Sequence, residues 1–162
     1  MLFGSRPAAL GIAEDTLEFA LSAAADTHPN EYMGVMRGTP ARELGVDEDG
    51  DIVTDVVFAP GTTSSPVQAT MRSDLLPNDS HNVGSVHSHP NGVLRPSNQD
   101  VQTFGKGRAH IIIGAPYERD DWAAFDRKGE PRDFDVYDVS LPDPEEFFDF
   151  DQADIDAELE DR

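Results

Sequence analysis

The sequence has no cysteine and, in 162 residues, only two lysines, Lys106 and Lys128. Without cysteine there is no disulfide, no thiolate metal ligand and no cysteine nucleophile. No run of about 18 apolar residues occurs, so no transmembrane helix is expected. The opening stretch, MLFGSRPAALGIAEDT, lacks the basic segment, apolar core and small-residue cleavage site of a signal peptide, and the cytoplasm is the expected location. Several catalytic signatures are missing as well. There is no H-E-x-x-H, so the usual zincin arrangement does not apply. The P-C-x-x-C of zinc deaminases is absent, as are G-x-S-x-G and a phosphate-binding glycine loop. Barrel hydrolases that use H-x-H need about 200 residues or more, which this chain does not have.

Acid is abundant. Asp plus Glu number 32 against 12 Lys plus Arg, for a formal net charge of −20. A field of that sign repels nucleic acid and anionic membranes, so neither is an expected partner. From Asp138 to Arg162 there are eleven acidic residues and one base, which reads as a solvated or interaction tail. Acid excess with so little lysine resembles proteins of halophilic archaea, whose carboxylates keep the surface hydrated in concentrated salt. The apolar fraction, 38%, is low, yet runs such as HIIIG and DIVTDVVF provide for a core.

Leu17, Ala20, Leu21 and Ala24 follow i, i+3, i+4, i+7 spacing and predict an amphipathic helix over Ala13–Asp26, ended by His28-Pro29. Strands are expected at Glu31–Gly38, Asp51–Ala59, Asn82–His89 and His110–Gly114, with a hairpin of Trp122–Phe125 and Phe134–Val139 across DRKGEP. A short helix is expected at Met71–Leu76 and another at Ser97–Lys106. This order gives an α/β (α+β) class with a mixed sheet between helices. The expected division is one domain over 1–140 and an acidic tail over 141–162, with helical spacing at Ile155 and Leu159.

Two of the five histidines fall in VHSHPNGVLRPSNQD, residues 86–100. On a strand, His87 and His89 share one face and Ser88 takes the other. Ser97 opens the next helix, and Asp100 follows one turn later. Two imidazoles and a carboxylate suit zinc, whose catalytic sites pair three protein ligands with a water. Ser97-Asn98-Gln99-Asp100 is also close to a helix capping box, and both readings can hold, since a cap would position Asp100. His28, His81 and His110 are expected to be structural or surface residues.

The run HSHP, six residues, then S-x-x-D resembles the zinc signature of the JAMM (MPN-plus) metalloproteases. That family also places a glutamate upstream in a setting like E-x-x-G-x-[LM]-x-G, and EYMGVMRG matches it at Glu31, Gly34 and Gly38. The resemblance implies a curved, mixed sheet between helices, of JAMM/MPN (cytidine-deaminase-like) architecture, over about two thirds of the chain. It implies that His87, His89 and Asp100 bind one Zn2+ per chain. Glu31 would be the general base toward the attacking water and then the proton shuttle, and Ser97 would steady the oxyanion. The implied activity is hydrolysis of the bond between a ubiquitin-like modifier and a lysine side chain. An archaeal chain of this size resembles desampylases, which remove small archaeal modifier proteins from targets. The implied partners are modifiers ending in Gly-Gly and their conjugates. Their extended tail is expected beside the loop Asn91–Pro96 and the segment Thr63–Met71. The short, glycine-flanked stretch from Asp100 to His110 shows no linkage-selecting insertion, which points to broad activity. Two alternatives remain: a peptidase trimming a sulfur-carrier or modifier precursor, and a non-catalytic MPN scaffold.

Overall fold

The computed structural model describes residues 7–58, 63–64, 69–70, 81–105 and 107–141. A seven-stranded mixed sheet organises them. Its strands are β1 (Ala9–Ala13), β2 (Met33–Pro40), β3 (Asp51–Phe58), β6 (Asn82–His89), β7 (His110–Gly114), β8 (Trp122–Phe125) and β9 (Asp135–Tyr137). Across the sheet the order is β8-β7-β6-β2-β3-β1-β9. β1 runs parallel to β3 and β9, and β6 runs parallel to β7; the remaining neighbours are antiparallel. The short strands β4 (Thr63–Ser64) and β5 (Ala69–Thr70) pair with each other alone.

Two helices cover opposite faces. Helix α1 (Glu14–Thr27) buries Leu17, Ala20, Leu21 and Ala24, the four residues picked out by spacing. They pack in one cluster with Val86, Ile111 and Ile113. Each fully buried Leu of this kind contributes about 1.5–3 kcal/mol. Helix α2 (Asn98–Phe104) buries Phe104 against Ile112 and Phe125. Alternation along β7 therefore sends Ile111 and Ile113 to α1 and Ile112 to α2. Among the described residues, no helix is long and apolar enough to cross a membrane.

The expected hairpin does not form as such. The turn itself is present, with Asp126 N–H donating to Glu130 O (2.9 Å) and a bridge between Phe125 and Pro131. Pro131 sits opposite Phe125 between two ladder bonds, so its missing N–H is not needed there, and the pairing ends after Arg132. The chain then crosses to the far edge, where Asp135–Tyr137 pair with β1. Arg132 spans that crossing and donates to Arg108 O (2.7 Å) and Ala9 O (2.6 Å). Since Arg132 N–H also bonds Ala124 O of β8 (3.1 Å), the sheet curls until its two edges approach. Strand β1 has no counterpart among the expected elements. It is short, and Gly11 interrupts its apolar pattern because a Cβ there would meet Asp135 O of β9 at 2.0 Å. The expected helix at Met71–Leu76 and the acidic tail beyond Leu141 lie outside the described residues.

Candidate metal centre

The face of β6 that carries Ser85, His87 and His89 is the face covered by α2, and the His87 ring meets the Phe104 ring edge-on with centroids 5.8 Å apart. His87 is buried at 3% exposure, whereas His89, at the strand end, is half-buried. Ser88 points the other way and is fully buried. It ties β6 to the start of β2: its Oγ accepts the Tyr32 N–H (2.6 Å), and its own N–H donates to Tyr32 O (2.9 Å). Met33 lies opposite His87 and Tyr32 is bonded to Ser88, so the chain at Glu31 lies toward the end of β6 that carries His89. The charge of Glu31 acts on the His89 ring.

Asp100 reaches the same point from α2. The capping box is complete: Ser97 Oγ accepts the Asp100 N–H (3.1 Å), and Asp100 Oδ2 accepts the Ser97 N–H (2.8 Å). The box turns the carboxylate back toward the end of β6. Asp100 Oδ1 lies 3.3 Å from His87 Nδ1, and Oδ2 lies 3.0 Å from His89 Nε2. The loop between strand and helix is pinned from within, since His89 Nδ1 donates to Val93 O (2.8 Å) and Asn91 Oδ1 accepts the Val93 N–H (3.0 Å).

These bonds constrain the protons. A carbonyl oxygen only accepts, so His89 Nδ1 carries hydrogen. In the neutral ring, Nε2 then presents a lone pair to a carboxylate oxygen 3.0 Å away. Two acceptors at that distance require a proton or a cation between them. Burial opposes protonation of His89, but the Asp100 carboxylate, Val93 O and the Glu31 charge outweigh it and raise its pKa. Burial would likewise raise the Asp100 pKa, yet the neighbouring His87 and His89 rings and the Ser97 backbone N–H hold it well below the usual carboxylate range. The site thus attracts positive charge by construction.

A zinc ion suits this donor set, which is two imidazole nitrogens and one carboxylate. Two ligands about 2 Å from one tetrahedral ion lie about 3.3 Å from each other, close to both imidazole–carboxylate separations. Among the described residues, no group of three or more His, Cys, Asp or Glu has the geometry of a metal site.

The structure therefore brings His87, His89 and Asp100 together, with Glu31 and Ser97 at the margin. His28 is exposed and bonds Tyr117 Oη (2.5 Å), and His81 is exposed on the turn before β6. The loop Asn91–Pro96 borders the site, while most of Thr63–Met71 lies outside the described residues. Sequence reasoning gave no role to Ser85, whose Oγ lies 3.1 Å from His87 Nε2. The available signal was the alternation itself, since Ser85 sits two residues before His87 on the same face.

Residues 14–128 match the family of prokaryotic homologs of the JAB domain. The chain belongs to that family and so to the wider JAMM/MPN group. A protein of Haloferax volcanii named "Probable metalloprotease" is 65% identical over 159 residues, covering 98% of each chain. Two solved structures share the fold. A JAB1/MPN domain protein from Archaeoglobus fulgidus is 28% identical with a TM-score of 0.60, covering 80% of this chain and 100% of its own. A structure described as JAMM, a metalloprotease-like zinc site in the proteasome and signalosome, is 27% identical with a TM-score of 0.59, covering 80% and 98%.

Proposed function

We propose that this chain is a zinc-dependent isopeptidase that removes ubiquitin-like modifier proteins, of the small archaeal kind, from lysine side chains. The observation that carries the reading is the Asp100 carboxylate facing one nitrogen each of His87 and His89, with the charge of Glu31 acting on the His89 ring. The family, the name of the Haloferax relative and the zinc site described for the structural neighbour support the coarser part, a JAMM-type metalloprotease.

His87, His89 and Asp100 would hold one Zn2+. That ion would supply Lewis acidity and bring the pKa of a water toward 7. Glu31 takes a proton from the attacking water as the water oxygen bonds to the carbonyl carbon of the terminal glycine. It returns the proton to the lysine nitrogen as the C–N bond breaks, leaving a carboxylic acid on the modifier and a free amine, and the acid then passes its proton to the amine or to water. Ser97 donates to the carbonyl oxygen as charge develops there. Its cap role uses only an oxygen lone pair, so the O–H remains available as donor. A Gly-Gly tail fits an extended path beside Asn91–Pro96, because glycines pass where side chains would clash.

The test is cleavage of a conjugate joined through a Gly-Gly isopeptide bond, beside a modifier precursor with a C-terminal extension. Conjugate cleavage that needs Zn2+ supports the proposal. Cleavage of the precursor alone would make the chain a trimming peptidase, and no cleavage by zinc-loaded protein would favour a scaffold. Glu31→Ala should retain zinc and lose about 10²–10⁴-fold in turnover, the usual contribution of a general base.

A further inference from the structure

Behind His87 lies a second histidine that the proposed reaction does not use. His110 opens β7 and is buried at 1% exposure. Its ring stacks flat on Phe104, with centroids 4.0 Å apart and planes 6° from parallel. Its Nδ1 lies 3.1 Å from the Ser85 backbone N and 2.8 Å from Ser85 Oγ. Room for the ring comes from two glycines. A Cβ on Gly107 would meet His110 Cε1 at 2.3 Å, and one on Gly84 would meet the same atom at 3.2 Å.

The proton positions follow in sequence. A backbone N–H can only donate, so His110 Nδ1 is an acceptor and its proton sits on Nε2. The Ser85 hydroxyl has one proton to give, and its contact with His110 Nδ1 (2.8 Å) is shorter than that with His87 Nε2 (3.1 Å). With the proton on the His110 side, the lone pairs of Ser85 Oγ are turned to His87 Nε2, which then donates. His87 is thereby held with hydrogen on Nε2 and with the Nδ1 lone pair toward Asp100.

From this we infer that Ser85 and His110 are positioning residues that select the His87 tautomer and aim its Nδ1 at the metal. The inference rests on the metalloprotease reading for the identity of the ion, but the tautomer itself follows from hydrogen bonds in this chain. Without the pair, His87 Nε2 would have no partner to fix its proton, and the ring would be free to present either nitrogen. Partners that orient a metal-binding imidazole in this way typically account for 10–100-fold in metal affinity.

The experiment uses the full chain with Ser85→Ala, His110→Leu and His110→Asn. The amide of Asn can keep an acceptor near the position of Nδ1, whereas Leu cannot. Zn2+ affinity is measured by chelator competition, and the His87 tautomer by long-range ¹H–¹⁵N correlation of the ring. Thermal melting establishes that each variant is folded. The expected result is an affinity loss of about 10–100-fold for Ser85→Ala and His110→Leu, with substantial recovery in His110→Asn. The ring spectrum of wild type should show hydrogen on Nε2, and that of folded Ser85→Ala should show mixed tautomers. Unchanged affinity and an unchanged His87 spectrum in folded Ser85→Ala would overturn the inference while leaving the metalloprotease reading intact. Conversely, a wild-type chain that binds no Zn2+ but carries hydrogen on His87 Nε2 would end the metalloprotease reading and support the tautomer assignment.

Discussion

Replacing Ser88 with Ala separates the two faces of the central strand. Ser88 lies between the two histidines, yet its side chain is on the opposite face, where its Oγ accepts the Tyr32 N–H. Ser88 is fully buried and Tyr32 is 5% exposed, so water cannot replace the lost acceptor. A buried N–H left without a partner costs about 1–3 kcal/mol. For a chain of this size, each kcal/mol lowers Tm by about 2–4 °C, so the variant should melt about 2–12 °C lower. The bond from Ser88 N–H to Tyr32 O remains, and β6 stays paired with β2. His87, His89 and Asp100 are untouched, so zinc content should hold. Glu31 is the residue next to the lost anchor, and its placement beside His89 should loosen, lowering kcat with little change in bound zinc. Thermal melting, metal analysis and conjugate cleavage on one preparation would check all three. A variant with wild-type Tm and wild-type turnover would refute the clamp; one that lost its zinc would show that Ser88 supports the ligands as well.

His89→Ala and Asp100→Ala should each remove most of the bound zinc, measured against about one ion per wild-type chain; full metal and full rate in either variant would contradict the ligand assignment. Raising NaCl from dilute to 1 M, where the Debye length is about 3 Å, should raise Tm by screening the −20 charge, and a flat or falling melting curve would count against adaptation to salt. Acid titration has a sign fixed by His110, whose pKa is pushed down to about 3 by burial and then by the charge of His87, against weaker upward effects of the Gly107 backbone and Asp126. The unfolded chain takes up this proton near pH 6.5, so the contribution is whole above that pH and is lost as pH falls toward about 3. His110→Leu should therefore lose less stability than wild type between pH 7 and 5, and parallel stability curves would contradict the buried neutral imidazole.

Helix α1 was legible because its four inward residues repeat with the helical period and nothing interrupts them. Strand β6 was legible because His87 and His89 alternate with Ser88, and a period of two fixes their common face. The pairing of β9 was not legible. Asp-Arg-Lys-Gly-Glu-Pro between two apolar runs is good turn chemistry, and the turn does form. The second run leaves the hairpin after Arg132, whose backbone N–H bonds Ala124 of β8 while its side chain bonds Ala9 O of β1. Such a choice depends on a strand, β1, more than 120 residues away. The link between Ser85 and His110 was not legible for the same reason, although His110 was expected to be structural or on the surface and proves to be buried. They are 25 residues apart, and only the parallel pairing of β6 with β7 brings them together. The one local trace was Gly84 and Gly107, whose missing Cβ atoms admit the buried ring.

The capping-box reading and the metal reading of Ser97 and Asp100 turn out to be one arrangement. A cap needs the N3 side chain folded back onto the N-cap N–H, and Asp100 Oδ2 does that at 2.8 Å. The same fold-back aims the carboxylate at the end of β6, where it lies 3.0 Å from His89 Nε2 and 3.3 Å from His87 Nδ1. A carboxylate of this kind on an ordinary helix would face water. Here it faces two rings whose other nitrogens are already engaged, His89 with Val93 O and His87 with Ser85 Oγ. A neutral His89 therefore has only a lone pair to offer Asp100 Oδ2, and a neutral His87 is in the same position where its Nε2 donates to Ser85 Oγ. A proton between these acceptors relieves the conflict only by charging an imidazole. A divalent cation relieves it while both rings stay neutral, and that is the physical reason to place a metal at the convergence of β6 and α2.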